Sequence, residues 1–110
     1  VQRDALVGMN AVVMDEAVVG EQAIVAACAF VRAGMQVPPR TLVAGLPAKV
    51  VRELSPEEMA WKQAGTSTYH DLTRRSLRSL REVSPLSEIE ENRPALAAPR
   101  VQPLIAARRA

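Results

Sequence analysis

The sequence predicts a β fold, a parallel β-helix of short triangular coils, followed by a C-terminal α-helix packed along it. Three observations predict this. Valine recurs at every sixth position through the first 48 residues. A small residue recurs four places after most of those valines. Ser55-Pro56-Glu57-Glu58 then opens a stretch whose apolar residues fall at helical spacing.

Written in sixes, residues 1–48 read VQRDAL, VGMNAV, VMDEAV, VGEQAI, VAACAF, VRAGMQ, VPPRTL and VAGLPA. Position one is Val1, Val7, Val13, Val19, Val25, Val31, Val37 and Val43. Neither a period of 3.6 nor plain alternation gives a strict six. A triangular coil does, with one short strand and one turn on each side. Position-one valines then point inward and stack on those of the next coil, a use that suits a β-branched side chain. Position five shares their parity and lies near a corner, where Ala5, Ala11, Ala17, Ala23 and Ala29 fit; Met35, Thr41 and Pro47 follow. Gly8, Gly20, Gly34 and Gly45 sit at expected turns. At a strand spacing of ~4.8 Å, the run makes about 2.7 coils, roughly 13 Å tall. Repeat folds need several units and a protected end, so the chain reads as a prism truncated on its N-terminal side. The absence of an initiator Met agrees with that expectation.

Position six points outward, yet it holds Leu6, Val12, Val18, Ile24, Phe30 and Leu42. Sorted by side, Leu6, Ile24 and Leu42 line one face, Val12, Phe30 and Ala48 the next, and Val18 and Gln36 the third. Two apolar outer faces ask for cover. One is expected to meet the chain's own helix and the other a partner subunit.

Residues 49–82 form the connection and the helix. Ser55 caps, Pro56 suits the first turn, and Glu58 completes a capping box. Gly65 is expected to interrupt or kink the helix, with Thr66 or Ser67 recapping it. Tyr69, Leu72, Ser76, Leu77 and Leu80 make an apolar stripe, and Arg74, Arg75, Arg78 and Arg81 fall mainly on the other side. From Val83 to Ala110 the periodicity dissolves among Pro85, Pro94, Pro99 and Pro103, which reads as an extended or disordered tail.

Composition narrows the function. The chain has 110 residues, a net charge of +2, 48% hydrophobic and 3% aromatic residues. Residues 1–48 carry three basic and four acidic groups, 49–82 seven and five, and 83–110 four and three. That dispersal argues against nucleic acid. No apolar run reaches transmembrane length, so no membrane partner is indicated. The single cysteine, Cys28, fits a reducing compartment, the cytoplasm. It falls at position four, a corner, without a visible partner base. His70, the single histidine, lies in the predicted helix beside Thr73 and Arg74, which are not metal ligands. Asn10 is suited to turn-making.

LVGMNAVVMDEAVVGEQAIVAACAFV, followed by VAGLPAKVVRELSPEEMAWKQAGTSTY, resembles the hexapeptide-repeat family of the phenylacetic acid degradation protein PaaY and the carnitine-operon protein CaiE. More broadly it is similar to γ-class carbonic anhydrase-like proteins. The resemblance runs over residues 1–90 and is most specific from Lys49 through Trp61, Gly65, Thr66 and Tyr69. It implies a left-handed prism and a homotrimer with the helix against it. It also implies zinc between subunits on three histidines, none of which this chain contains. By the same resemblance Asn10 lies near that zinc and Tyr69 approaches it. Turn-making for Asn10 and helix packing for Tyr69 stand beside those roles.

Three functions follow as expectations. The first is a fragment of a zinc hydrolase or lyase, in which zinc-bound hydroxide acts on a coenzyme A thioester of phenylacetate catabolism or on CO2. This chain alone would be inactive, since it carries none of the zinc ligands. The second is a hexapeptide-repeat acyltransferase, favoured by Gly45–Val51 (GLPAKVV) and opposed by the lack of a coil histidine. The third is a non-catalytic trimerisation module, which needs only the apolar faces.

Overall fold

The computed structural model describes residues 1–94. The chain forms two compact units that divide at Gly65. The first contains β1 (Leu6–Val7), β2 (Val12–Val13), β3 (Val18–Val19), β4 (Ile24–Val25), β5 (Phe30–Val31), β6 (Gln36–Val37), β7 (Thr41–Gly45) and β8 (Ala48–Glu53). The helix α1 (Pro56–Ser79) begins in the first unit and continues into the second.

The pairing is a triangular stack. β1, β4 and β7 lie side by side, as do β2 with β5 and β3 with β6, all parallel. Leu6 pairs with Ile24 and Ile24 with Leu42, so each partner lies three hexads further on. Val12 pairs with Phe30, and Val18 with Gln36, as the sorting by face predicts.

The core is the valine column. Val19, Val25, Val31 and Val43 are fully buried, and Ala23 and Ala29 fill the corners beside them. Each buried valine contributes about 2 kcal/mol of transfer free energy. Thr41 occupies the corner alanine position and is satisfied there, its hydroxyl donating to the Pro38 carbonyl at 2.8 Å.

The corners follow one rule that the residue types only partly reveal. Position four has positive φ in every coil: Asp4, Asn10, Glu16, Gln22, Cys28 and Arg40 lie between 52° and 62°, and Gly34 at 70°. Position-five N–H groups donate to position-two carbonyls at 3.1–3.3 Å. These are type II turns, with the left-handed residue third in the turn. Position-four N–H groups also reach the coil before. Cys28 donates to Met9, Gly34 to Asp15, and Arg40 to Glu21, at 2.9–3.0 Å. Gly8 and Gly20, at position two, answer a different need. A Cβ on Gly20 would sit 2.6 Å from backbone atoms of Val37 and Pro39, and one on Gly8 2.5 Å from Ala27 N.

Two expectations change. The eighth hexad does not continue the prism. The chain reverses at Leu46–Pro47, and β8 runs antiparallel to β7. Ala48 is therefore buried rather than outward-facing with Val12 and Phe30. A six-residue period cannot announce this reversal, because Val43 keeps its place in it. The helix is also unbroken at Gly65. One glycine costs a helix about 1 kcal/mol, too little to end a run this long.

Within the first unit, the start of α1 is fixed by charge. Glu58 accepts two bonds from Arg52, both 2.7 Å, and one from Ser55 N–H at 2.9 Å. Glu58 N–H donates back to the Ser55 hydroxyl at 3.3 Å, completing the expected capping box. In the second unit, Arg74 pairs with Asp71 one turn away, and the face of Tyr69, Leu72, Ser76, Leu77 and Leu80 leaves Leu77 and Leu80 exposed. Residues 80–94 contain no helix or strand, and Val83, Leu86 and Ile89 are exposed. The rest of the predicted tail, 95–110, lies outside the described residues.

Candidate functional site

Asn10 stands at a prism corner with φ +62°, exposed. Its backbone accounts for the residue type, since asparagine tolerates the left-handed region better than most residues. Tyr69 belongs to the second unit, where it is 72% exposed on α1. Its carbonyl accepts a bond from the Thr73 hydroxyl at 2.9 Å. With Leu72, Thr73, Ser76, Leu77 and Leu80 it lines an open apolar groove. Its phenol has one wet end and one apolar side, which suits a contact surface.

Cys28 is exposed and reduced, and it too occupies a left-handed corner. His70 is exposed on α1. Among the described residues, no three His, Cys, Asp or Glu side chains converge as a metal-binding group would require. The residues present therefore do not fit a three-histidine zinc centre held by this chain alone.

The buried charges gave no signal in the sequence as a site. Glu58 is 3% exposed and so is Lys62. Lys62 Nζ lies 3.9 Å from the Asp4 carboxylate, linking the second turn of α1 to the first corner of the prism. Burial pushes the Lys62 pKa below the ordinary lysine range, and Asp4 opposes that shift. Hydrogen bonding to Glu58 raises the Arg52 pKa, so this guanidinium stays charged. The i, i+4 spacing of Glu58 and Lys62 places both on one helix face. That spacing was visible, but their burial against the prism was not. Both groups hold structure in place, Glu58 through Arg52 and Lys62 beside Asp4.

No helix among the described residues is long and apolar enough to cross a membrane. No protein-family model matches the chain. It is 52% identical over 94 residues to the carnitine operon protein CaiE of Escherichia coli (strain K12), covering 86% of this chain and 48% of that protein. It is 51% identical over 96 residues to CaiE of Salmonella agona, covering 87% and 48%. The chain thus spans about half the length of the curated relatives it matches. Among solved structures, a putative acetyltransferase of Bacillus cereus superposes with a TM-score of 0.65 at 37% identity, over 69% of this chain and 45% of that one. A hexapeptide transferase family protein of Anaplasma phagocytophilum gives 0.63 and 37%, over 66% and 44%. Repeat, pairing and neighbours agree: the chain has the hexapeptide-repeat β-helix fold followed by a helix, and it is similar to CaiE over most of its own length.

Proposed function

We propose that this chain is the trimer-forming prism of a CaiE-like hexapeptide-repeat protein that works on acyl groups carried as coenzyme A thioesters. The observation that carries the reading is the match to the Bacillus cereus structure, at 37% identity and over the prism fold itself. That protein is described as a putative acetyltransferase, which favours acyl transfer over zinc-dependent thioester hydrolysis or CO2 hydration.

In this reading the prism is left-handed, the protein is cytoplasmic, and three copies meet through outward position-six side chains. Val12 is 49% exposed and stands beside Phe30 on one face, apolar surface that a free subunit would leave in water. Asn10 lies near the acyl site and Tyr69 on a surface that a neighbouring subunit covers. For the zinc that the resemblance implies, the described residues of this chain offer no converging ligand set.

Two measurements test this. Sedimentation of the 110-residue chain should give a trimer; a monomer at micromolar concentration would remove the assembly claim. With a CaiE-like protein of the relatives' full length, free thiol should appear from acetyl-coenzyme A only when an amine or hydroxyl acceptor is added. Release without acceptor would make it a thioesterase, and CO2 hydration without thiol release would restore the carbonic anhydrase-like reading.

A further inference from the structure

β8 is the last strand of its sheet. It pairs with β7 along one edge, and among the described residues no strand pairs with the other. It lies in mid-chain, two residues after β7 and two before α1, so this edge belongs to the fold itself. A free edge is a template for a further strand. Here it also carries apolar surface: Leu46 is 78% exposed, Val51 57% and Val50 48%. A straight, uncharged strand of this kind would invite the same strand of a second copy, because two identical strands can meet antiparallel about a two-fold axis.

Three features oppose that meeting. The pairing with β7 slips once. Leu42 faces Arg52 and Val43 faces Val50, so Val51 has no residue opposite it. An extra residue of this kind bends a strand and increases its twist, and a bent edge receives a second strand poorly. Lys49 and Glu53 set exposed charges on either side of the two valines. The chain beyond Glu53 is tied away from the edge. Leu54 N–H donates to the Arg40 carbonyl at 2.9 Å, and Arg52 is held by both carboxylate oxygens of Glu58 at 2.7 Å.

We propose that the edge of β8 is a self-pairing surface held closed by the Val51 bulge, with Lys49 as a second barrier. Removing the extra residue aligns β8 with β7 one residue to one. Removing the charge as well lets β8 of a second copy pair with it antiparallel, joining two prisms end to end. In the native chain the bulge keeps prisms from associating through this end. This proposal depends neither on the acyl-transfer reading nor on the trimer.

The test is sedimentation of the 110-residue chain with Val51 deleted and Lys49→Thr. That variant should show about twice the mass of the native chain at the same concentration, whatever the native assembly is. Lys49→Thr alone should keep the native mass, since the bulge remains. A folded deletion variant at the native mass overturns the proposal, and so does doubling by Lys49→Thr alone. A second measurement needs no deletion. The native-length chain carrying Val50→Cys and Cys28→Ser should give no disulfide-linked pair under mild oxidation. Rapid linkage of that chain would show an edge already open and would overturn the proposal.

Discussion

Val31 and Leu77 are both aliphatic residues on regular elements, yet one is fully buried and the other 81% exposed. The first unit sets each residue's surroundings through a partner three hexads away, so position in the repeat decides burial. The second sets them through neighbours three and four residues away, which form the helix but leave its apolar face uncovered. Long-range pairing makes the prism intolerant of change, and local pairing makes the helix forgiving.

The largest contrast should come from charge. Val31→Asp places a carboxylate in a closed column and is expected to cost about 3–5 kcal/mol, enough to unfold the first unit in a urea melt. Leu77→Asp should change the stability of a dissociated subunit by no more than about 0.5 kcal/mol. A large loss from Leu77→Asp would mean that something covers the stripe in solution. Next comes the junction. Glu58→Ala removes the Arg52 pair and one half of the capping box, and should cost about 2 kcal/mol, read by thermal denaturation.

A smaller and sharper test uses one substitution of opposite sign. Gly20→Ala pushes a methyl group into backbone and should destabilise by about 1–3 kcal/mol. Gly65→Ala meets no atom within 4 Å and should stabilise α1 by about 0.5–1 kcal/mol. Equal signs at the two sites would break the comparison. The smallest effect concerns pH. Lys62 has its pKa lowered in the fold by burial. Below that lowered value both folded and unfolded forms are protonated, and the burial cost is felt in full. Stability should therefore rise as pH climbs from the lowered value toward the ordinary lysine range. Lys62→Met should remove that rise.

The prism was legible in the sequence because one residue type marks one geometric role: Val7 through Val43 name the inward column without help from distant sequence. The capping box was legible for a similar reason, since Ser55 and Glu58 are close in the chain. The corners were harder to read. Asp4, Asn10, Glu16, Gln22, Cys28 and Arg40 share one backbone conformation but no chemistry, so their common role shows only in φ. The reversal at Ala48 was hidden because β8 is held by pairing to β7, which the hexad period does not encode. Asn10 and Tyr69 took their candidate roles from resemblance. The structure gives Asn10 a turn and Tyr69 an exposed helix face.

The β7–β8 reversal carries a consequence for how the chain reaches this fold. It brings together residues separated by only a few positions, such as Gly45 and Ala48. Every other strand pair must close a loop three hexads long first, and loop closure costs entropy before any contact repays it. Assembly should therefore start at the hairpin and climb the prism one level at a time, as solenoids propagate from a formed unit to its neighbour. The last level to form is then the one holding Val1, Val7 and Val13, and in partial denaturant it should be the first to fray.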